Sequence, residues 1–170
     1  MGTDMIIDLE PFFNVEGLSK DFDYSLDLSD EELNCVKPFT GPVDVRVTLA
    51  NRAGIVSLEG DASFSLSVCC DRCAKPLDYP CDIGLDHTLA ASLNDEENDD
   101  LLLVEDIKNF DLDSLVTDDI FLNLPSKFLC DDDCKGLCPK CGKDLNEGPC
   151  GCKKEIDPRL AALAQLLDSE

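Results

Sequence analysis

Six of the chain's eleven cysteines fall between residues 130 and 152, in the stretch CDDDCKGLCPKCGKDLNEGPCGC. A hydrophobic core does not need thiols at this density, and their spacing limits what the tail can fold into. Zinc takes four ligands tetrahedrally, with Zn–S near ~2.3 Å. A Cys-x-x-Cys turn brings two thiolates to one side of the backbone, and Cys138-Pro139-Lys140-Cys141 is such a turn. Gly142, directly after it, can take the positive φ that folds the backbone under the sulfurs. Cys150 and Cys152 supply a second pair. Residues i and i+2 of an extended segment point the same way, and Gly151 leaves the space between them clear. The eight residues 142–149 are long enough to return the chain. Cys138, Cys141, Cys150 and Cys152 thus form a self-sufficient four-cysteine site.

Cys130 and Cys134 are then two ligands short of a second site. Another knuckle, Cys70-Asp71-Arg72-Cys73, ends an alternating strand earlier in the chain. The expectation is that Cys70, Cys73, Cys130 and Cys134 share a second ion, which bolts the tail to the sheet. Two rival divisions stand beside it: Cys134 in place of one of the tail four, or Cys69 in place of Cys70. Cys35, Cys69 and Cys81 remain, and read as small buried hydrophobes. His87 is the one histidine, so the sites must be essentially all-cysteine. Zinc, two ions of it, is the expected cofactor; iron–sulfur clusters use the same four thiols and are the alternative.

Sites of this kind are closed, whereas a catalytic zinc keeps a position open for water. Structural metal and no enzymatic activity are therefore expected. His87 falls in a predicted strand without a nucleophile beside it and reads as an ordinary surface or boundary residue. Neither GxxxxGK nor GxGxxG occurs. A thiol redox role for Cys70 and Cys73 is a second hypothesis, weakened by the lack of a βαβ setting. A metal-dependent nuclease and a zinc-stabilised interaction module are further alternatives.

Charge bears on partners. Fourteen Lys and Arg face thirty-seven Asp and Glu, for a net charge of −23. A surface this acidic repels phosphates, so direct nucleic-acid binding is disfavoured and a basic protein partner suits it. Residues 134–159 are the exception at +2, leaving −25 elsewhere. Lys135, Lys140, Lys143, Lys153 and Lys154 in that stretch are candidate contacts to RNA or a partner. A four-thiolate zinc site carries −2 itself, which offsets them. MGTDMIIDLE has no basic n-region or long apolar h-region, and the longest apolar runs are too short to span a bilayer. A cytoplasmic location without membrane attachment is expected.

Hydrophobic patterning predicts a mostly β, α+β chain. Strands are expected at 5–9, 22–28, 42–49, 55–68 and about 78–90, with period-two alternation and short hairpin connections. SDEEL at 29–33 has the spacing of a capping box and predicts one helical turn. ANRAG at 50–54 reads as a turn, NDEENDD at 94–100 as a solvated acidic loop, and LLLVE as a short strand. Leu112, Leu115, Val116, Phe121 and Leu124 recur at helical spacing over 111–124, and Pro125 stops that helix. Asp157 and Pro158 begin a last helix, with Leu160, Leu163, Ala164 and Leu167 on one stripe. The expected organisation is a β-rich core domain at 1–129, a cysteine-rich zinc lobe docked on it at 130–156, and a C-terminal helix at 157–170. The core is an antiparallel sheet or partly closed barrel with one packed helix.

The CDRC knuckle after an alternating strand, together with DCKGLCPKCGKDLNEGPCGC near the end, resembles the YceD family. These are the large ribosomal RNA subunit accumulation proteins, also called the domain-of-unknown-function 177 family. The likeness runs over most of the chain, with the tail as its specific part. It implies a bacterial or organellar protein of ribosome biogenesis, connected with accumulation or processing of large-subunit ribosomal RNA. It supplies no catalytic residue. With the charge, it implies a basic ribosomal protein or a pre-ribosomal particle as partner.

Overall fold

Alternation at period two decides the sheet. The computed structural model describes residues 5–33, 36–91 and 101–152. Strand β1 (Ile6–Ile7) and a short helix α1 (Glu10–Asn14) precede the sheet strands β2 (Ser19–Leu26), β3 (Val43–Arg52), β4 (Ile55–Cys69), β5 (Pro76–Ala90) and β6 (Leu101–Leu103). Strand β7 (Phe110–Asp111) and helix α2 (Leu112–Asn123) follow. In β3, Val43, Val45, Val47 and Leu49 point into the core while Asp44 and Arg46 are exposed. In β4, Val56, Leu58, Ala62, Phe64 and Leu66 do the same. One face of the sheet therefore buries its side chains and the other meets water.

The five strands lie in chain order, β2-β3-β4-β5-β6, as a curled half-barrel. The β3–β4 turn narrows the expected 50–54 turn to Ala53 and Gly54, with φ of 54° and 83°. Two successive positive φ values match the twist of the flanking strands. Asn51, buried beside this turn, is fully employed: its Oδ1 accepts from Gly54 N–H at 2.9 Å and its Nδ2 donates to the Phe12 carbonyl at 2.7 Å. Along β4, Gly60 lies opposite Val47. A Cβ there would sit 2.1 Å from the Arg46 carbonyl oxygen, so only glycine lets the two backbones come this close.

Helix α2 covers the inner face with Leu112, Val116 and Ile120, all fully buried. Asp111 caps its start, accepting from Ser114 N–H at 3.0 Å. Leu124, just before Pro125, is already extended. On the same helix Asp119 places Oδ2 2.6 Å from Nε2 of His87 on β5, so the single histidine is a half-buried residue joining helix to sheet.

Several expectations need correction. The segment 5–9 supplies only a two-residue strand, antiparallel to β7, before the chain turns into α1. SDEEL forms no helical turn: the Asp27 carboxylate takes the Ser29 N–H at 3.0 Å and a tight turn follows. Strand β6 runs parallel to β5, so the sheet is not wholly antiparallel. Cys69 is exposed because the outward positions of β4 include it, whereas Cys81 is buried as expected. The acidic stretch at 94–100, the helix expected at 157–170 and Cys35 lie outside the described residues.

Candidate metal centres

Strands β4 and β5 pair from Val56↔Leu89 to Cys69↔Pro76. The six residues 70–75 join them, so the first knuckle is the tip of the longest hairpin in the sheet. Its backbone is held by Cys70 N–H donating to the Lys75 carbonyl and Ala74 N–H donating to the Cys70 carbonyl, both at 2.8 Å. The tail knuckle repeats this pattern. Cys138 N–H donates to the Lys143 carbonyl at 2.8 Å, and Gly142 N–H donates to the Cys138 carbonyl at 2.9 Å. Residue five of each turn has a positive φ: 59° at Ala74 and 70° at Gly142. CDRCAK and CPKCGK are one local structure used twice.

The chain then brings the remaining thiols to the two turns. Asp71 exchanges two hydrogen bonds with Phe128: its N–H donates to the Phe128 carbonyl at 2.8 Å, and its Oδ2 accepts from Phe128 N–H at 2.7 Å. This lays the segment after α2 along the hairpin tip and delivers Cys130. Arg72 donates from one guanidinium nitrogen to the carbonyls of Asp132 and Cys134, at 3.0 and 2.8 Å. The Arg72 carbonyl in turn accepts from Leu137 N–H at 3.0 Å. Gly136, at φ 71°, passes so close that a Cβ would sit 2.8 Å from that carbonyl oxygen.

The sulfurs of Cys70, Cys73, Cys130 and Cys134 all lie within 4.8 Å of one another, as do those of Cys138, Cys141, Cys150 and Cys152. Neither rival division of the cysteines is the grouping found. Four sulfurs at ~2.3 Å from one ion stand about 3.8 Å apart. In the first cluster Cys70 and Cys134 are 3.9 Å apart, and Cys73 and Cys130 are 3.6 Å apart. The spacing fits a tetrahedral ion. Both clusters can hold a metal ion.

The protonation of these thiols points the same way. Backbone N–H groups of Cys141 and Lys140 hold Cys138 down to about 6. Burial works against ionisation at Cys70, yet the N–H groups of Cys130, Cys73 and Arg72 outweigh it and bring that thiol also to about 6. Cys134 is lowered by the Asn146 side chain first, against its burial. Their neighbours move the other way: the thiols of Cys134 and Cys73 push Cys130 up to about 12, and Cys141 does the same to Cys152. Each cluster offers some thiolates readily and resists the rest, because like charges crowd together. A divalent cation at the centre removes that conflict.

Sequence reasoning missed four supporting residues, namely Asp71, Arg72, Ala74 and Asn146. The repeated Cys-x-x-Cys-small-Lys pattern was a visible signal for Ala74; nothing in the sequence singled out the others. Asn146 lies in the 142–149 loop and donates from Nδ2 to Cys134 Sγ at 3.3 Å, while its Oδ1 accepts from Lys135 N–H at 2.7 Å. Lys75 and Asp144 form an ion pair at 3.0 Å between the two lobes. Among the candidate contact lysines, Lys135, Lys140 and Lys143 are exposed, and Lys143 Nζ donates to the Pro149 carbonyl at 3.2 Å. Lys153 and Lys154 lie outside the described residues. No helix among the described residues is long and apolar enough to cross a membrane.

The family model for the large ribosomal RNA subunit accumulation protein YceD matches residues 58–167, from near the start of β4 through both clusters. The chain belongs to the YceD family. Among its relatives is the uncharacterized protein YlbN of Bacillus subtilis, 30% identical over 158 residues, 89% of this chain and 90% of that protein. An uncharacterized protein of Mycobacterium tuberculosis, Rv2926c, is 36% identical over 105 residues, 59% of this chain. The chain spans about half the length, 50%, of the mycobacterial relatives it matches. The chloroplastic large ribosomal RNA subunit accumulation protein YCED homolog 1 of Arabidopsis thaliana is 26% identical over 143 residues, 67% of this chain and 44% of that protein. No solved structure matches the chain.

Proposed function

We propose that this YceD-family protein is a non-enzymatic, cytoplasmic factor in ribosome biogenesis that supports large-subunit ribosomal RNA accumulation, with two structural zinc ions. The observation that carries the reading is family membership, in a family described by that role and shared with a plant homolog named for it. Zinc is favoured over an iron–sulfur cluster because the four thiols of each group lie within 4.8 Å of one another, a spacing that suits a single ion rather than a multi-iron core. The same closure supports a structural metal, since a catalytic zinc keeps an open position. Cys70, although acidified, is 2% exposed within its cluster. It is thus better placed as a ligand than as an attacking thiol, which counts against the redox alternative.

The partner we favour is a basic ribosomal protein or a particle presenting one. Outward-facing positions of β2 to β5 gather Asp21, Asp23, Asp44, Glu59, Asp61, Asp82 and Asp86 on one sheet face, against Arg46 and Arg52. A face of this sign attracts cationic protein and repels phosphate. The test is recovery of the tagged full chain from its own cells, with gradient fractionation and the ratio of large- to small-subunit ribosomal RNA after its depletion. Co-recovery of large-subunit precursors and a lowered ratio are expected. An unchanged ratio, with no ribosomal protein recovered, sinks the reading.

A further inference from the structure

The two cysteine clusters do not sit side by side as independent lobes. The loop 142–149, which links the two halves of the tail cluster, also carries groups that fix the cluster at the hairpin tip. Asn146 spans the gap, with Nδ2 on Cys134 Sγ at 3.3 Å and Oδ1 on Lys135 N–H at 2.7 Å. The loop holds Asn146 in that orientation through the Asp144 carboxylate, which accepts both its backbone N–H and its side-chain N–H at 2.8 Å. Leu145 N–H donates to the Gly136 carbonyl at 2.9 Å, and Leu137 bridges to Asp144. Asp144 pairs with Lys75 on the first knuckle. Closing the tail cluster fixes the ends of this loop at Cys141 and Cys150, and so pre-places the donor on Cys134.

We propose that the two centres bind metal with positive cooperativity, and that Asn146 is the positioning residue that couples them. The coupling runs equally in both directions, as any binding linkage must. An ion held by Cys138, Cys141, Cys150 and Cys152 orders the loop and its amide. That amide fixes the position of the Cys134 sulfur, so the site of Cys70, Cys73, Cys130 and Cys134 then needs less ordering to close. Outer partners of this kind typically alter metal affinity by ~10–100-fold. The inference rests on the reading that both clusters hold metal.

The experiment uses the reduced full chain, zinc alone as probe, and competition against a chromophoric chelator. Cys70→Ser with Cys73→Ser leaves the tail site and gives its binding constant. Cys138→Ser with Cys141→Ser leaves the other site and gives the second. The overall two-zinc constant of the unaltered chain is expected to exceed the product of these two by at least about tenfold. Repeated with Asn146→Ala in every background, the excess is expected to fall to near one. A merely structural role for Asn146 would lower single-site constants and leave the excess unchanged. Equality of the overall constant and the product overturns the coupling, while failure of both single-site proteins and the unaltered chain to bind zinc overturns the metal reading instead. Should a serine variant not fold, Asn146→Ala with both ligand sets intact must still lower the overall constant about tenfold or more. An unchanged constant then refutes the proposal.

Discussion

The clearest residue-scale contrast is at the fifth position of the two knuckles, where the same backbone geometry is met by Ala74 in one and Gly142 in the other. A left-handed conformation costs a residue with a Cβ roughly 1–2 kcal/mol. Ala74→Gly is therefore expected to stabilise the protein by about 1 kcal/mol, read as a raised denaturation midpoint at constant slope. Gly142→Ala should do the reverse by a similar amount. Nothing lies within 4 Å of its Cβ position, so that change isolates backbone strain. Gly60→Ala is a different case, since the added methyl meets the β3 backbone itself. Its expected cost is about 1–3 kcal/mol by equilibrium unfolding, and a neutral result would mean the sheet has room to open there.

Among the elements, α2 and the β4–β5 hairpin carry the architecture. The Asp111 cap satisfies one of the helix's otherwise unpaired N–H groups. Asp111→Ala should cost about 1 kcal/mol, with loss of amide-exchange protection concentrated at the first turn of α2. The hairpin shows how much of an element can be read from its pattern. Alternation at Ala62, Phe64, Leu66 and Val68 gave the strand and its inward face. It could not give the close backbone contact at Gly60, because that depends on how closely β3 approaches. Helix α2 was legible from the spacing of Leu112, Leu115 and Val116. Helix α1 was not, because five residues offer too little periodicity to distinguish a turn from a strand. The parallel pairing of β6 was hidden for a related reason: three apolar residues fit either direction equally well.

At the scale of the whole molecule, the cysteines join two parts stabilised in different ways. The sheet and α2 share one hydrophobic core, from Ile7 to Phe128, while the described part of the tail, 130–152, has Cys134 and Cys138 as its buried apolar residues. A strong chelator is therefore expected to abolish amide-exchange protection across 130–152 while β3, β4 and β5 stay protected. Loss of protection throughout would mean that the proposed metal ions hold the core as well. The β-rich class, the inward faces of the strands, α2 and the knuckle at 138–141 were legible from local pattern, since each is set by residues within a few positions of one another. Counting ligands led to Cys130 and Cys134 joining Cys70 and Cys73 but left two rival divisions open; the folded chain was needed to choose between them, to bring Asn146 to Cys134, and to put the acidic residues of four strands on one face. Those placements depend on sheet register and on where the chain returns after α2, and both are settled by burial and hydrogen bonding between segments far apart in sequence.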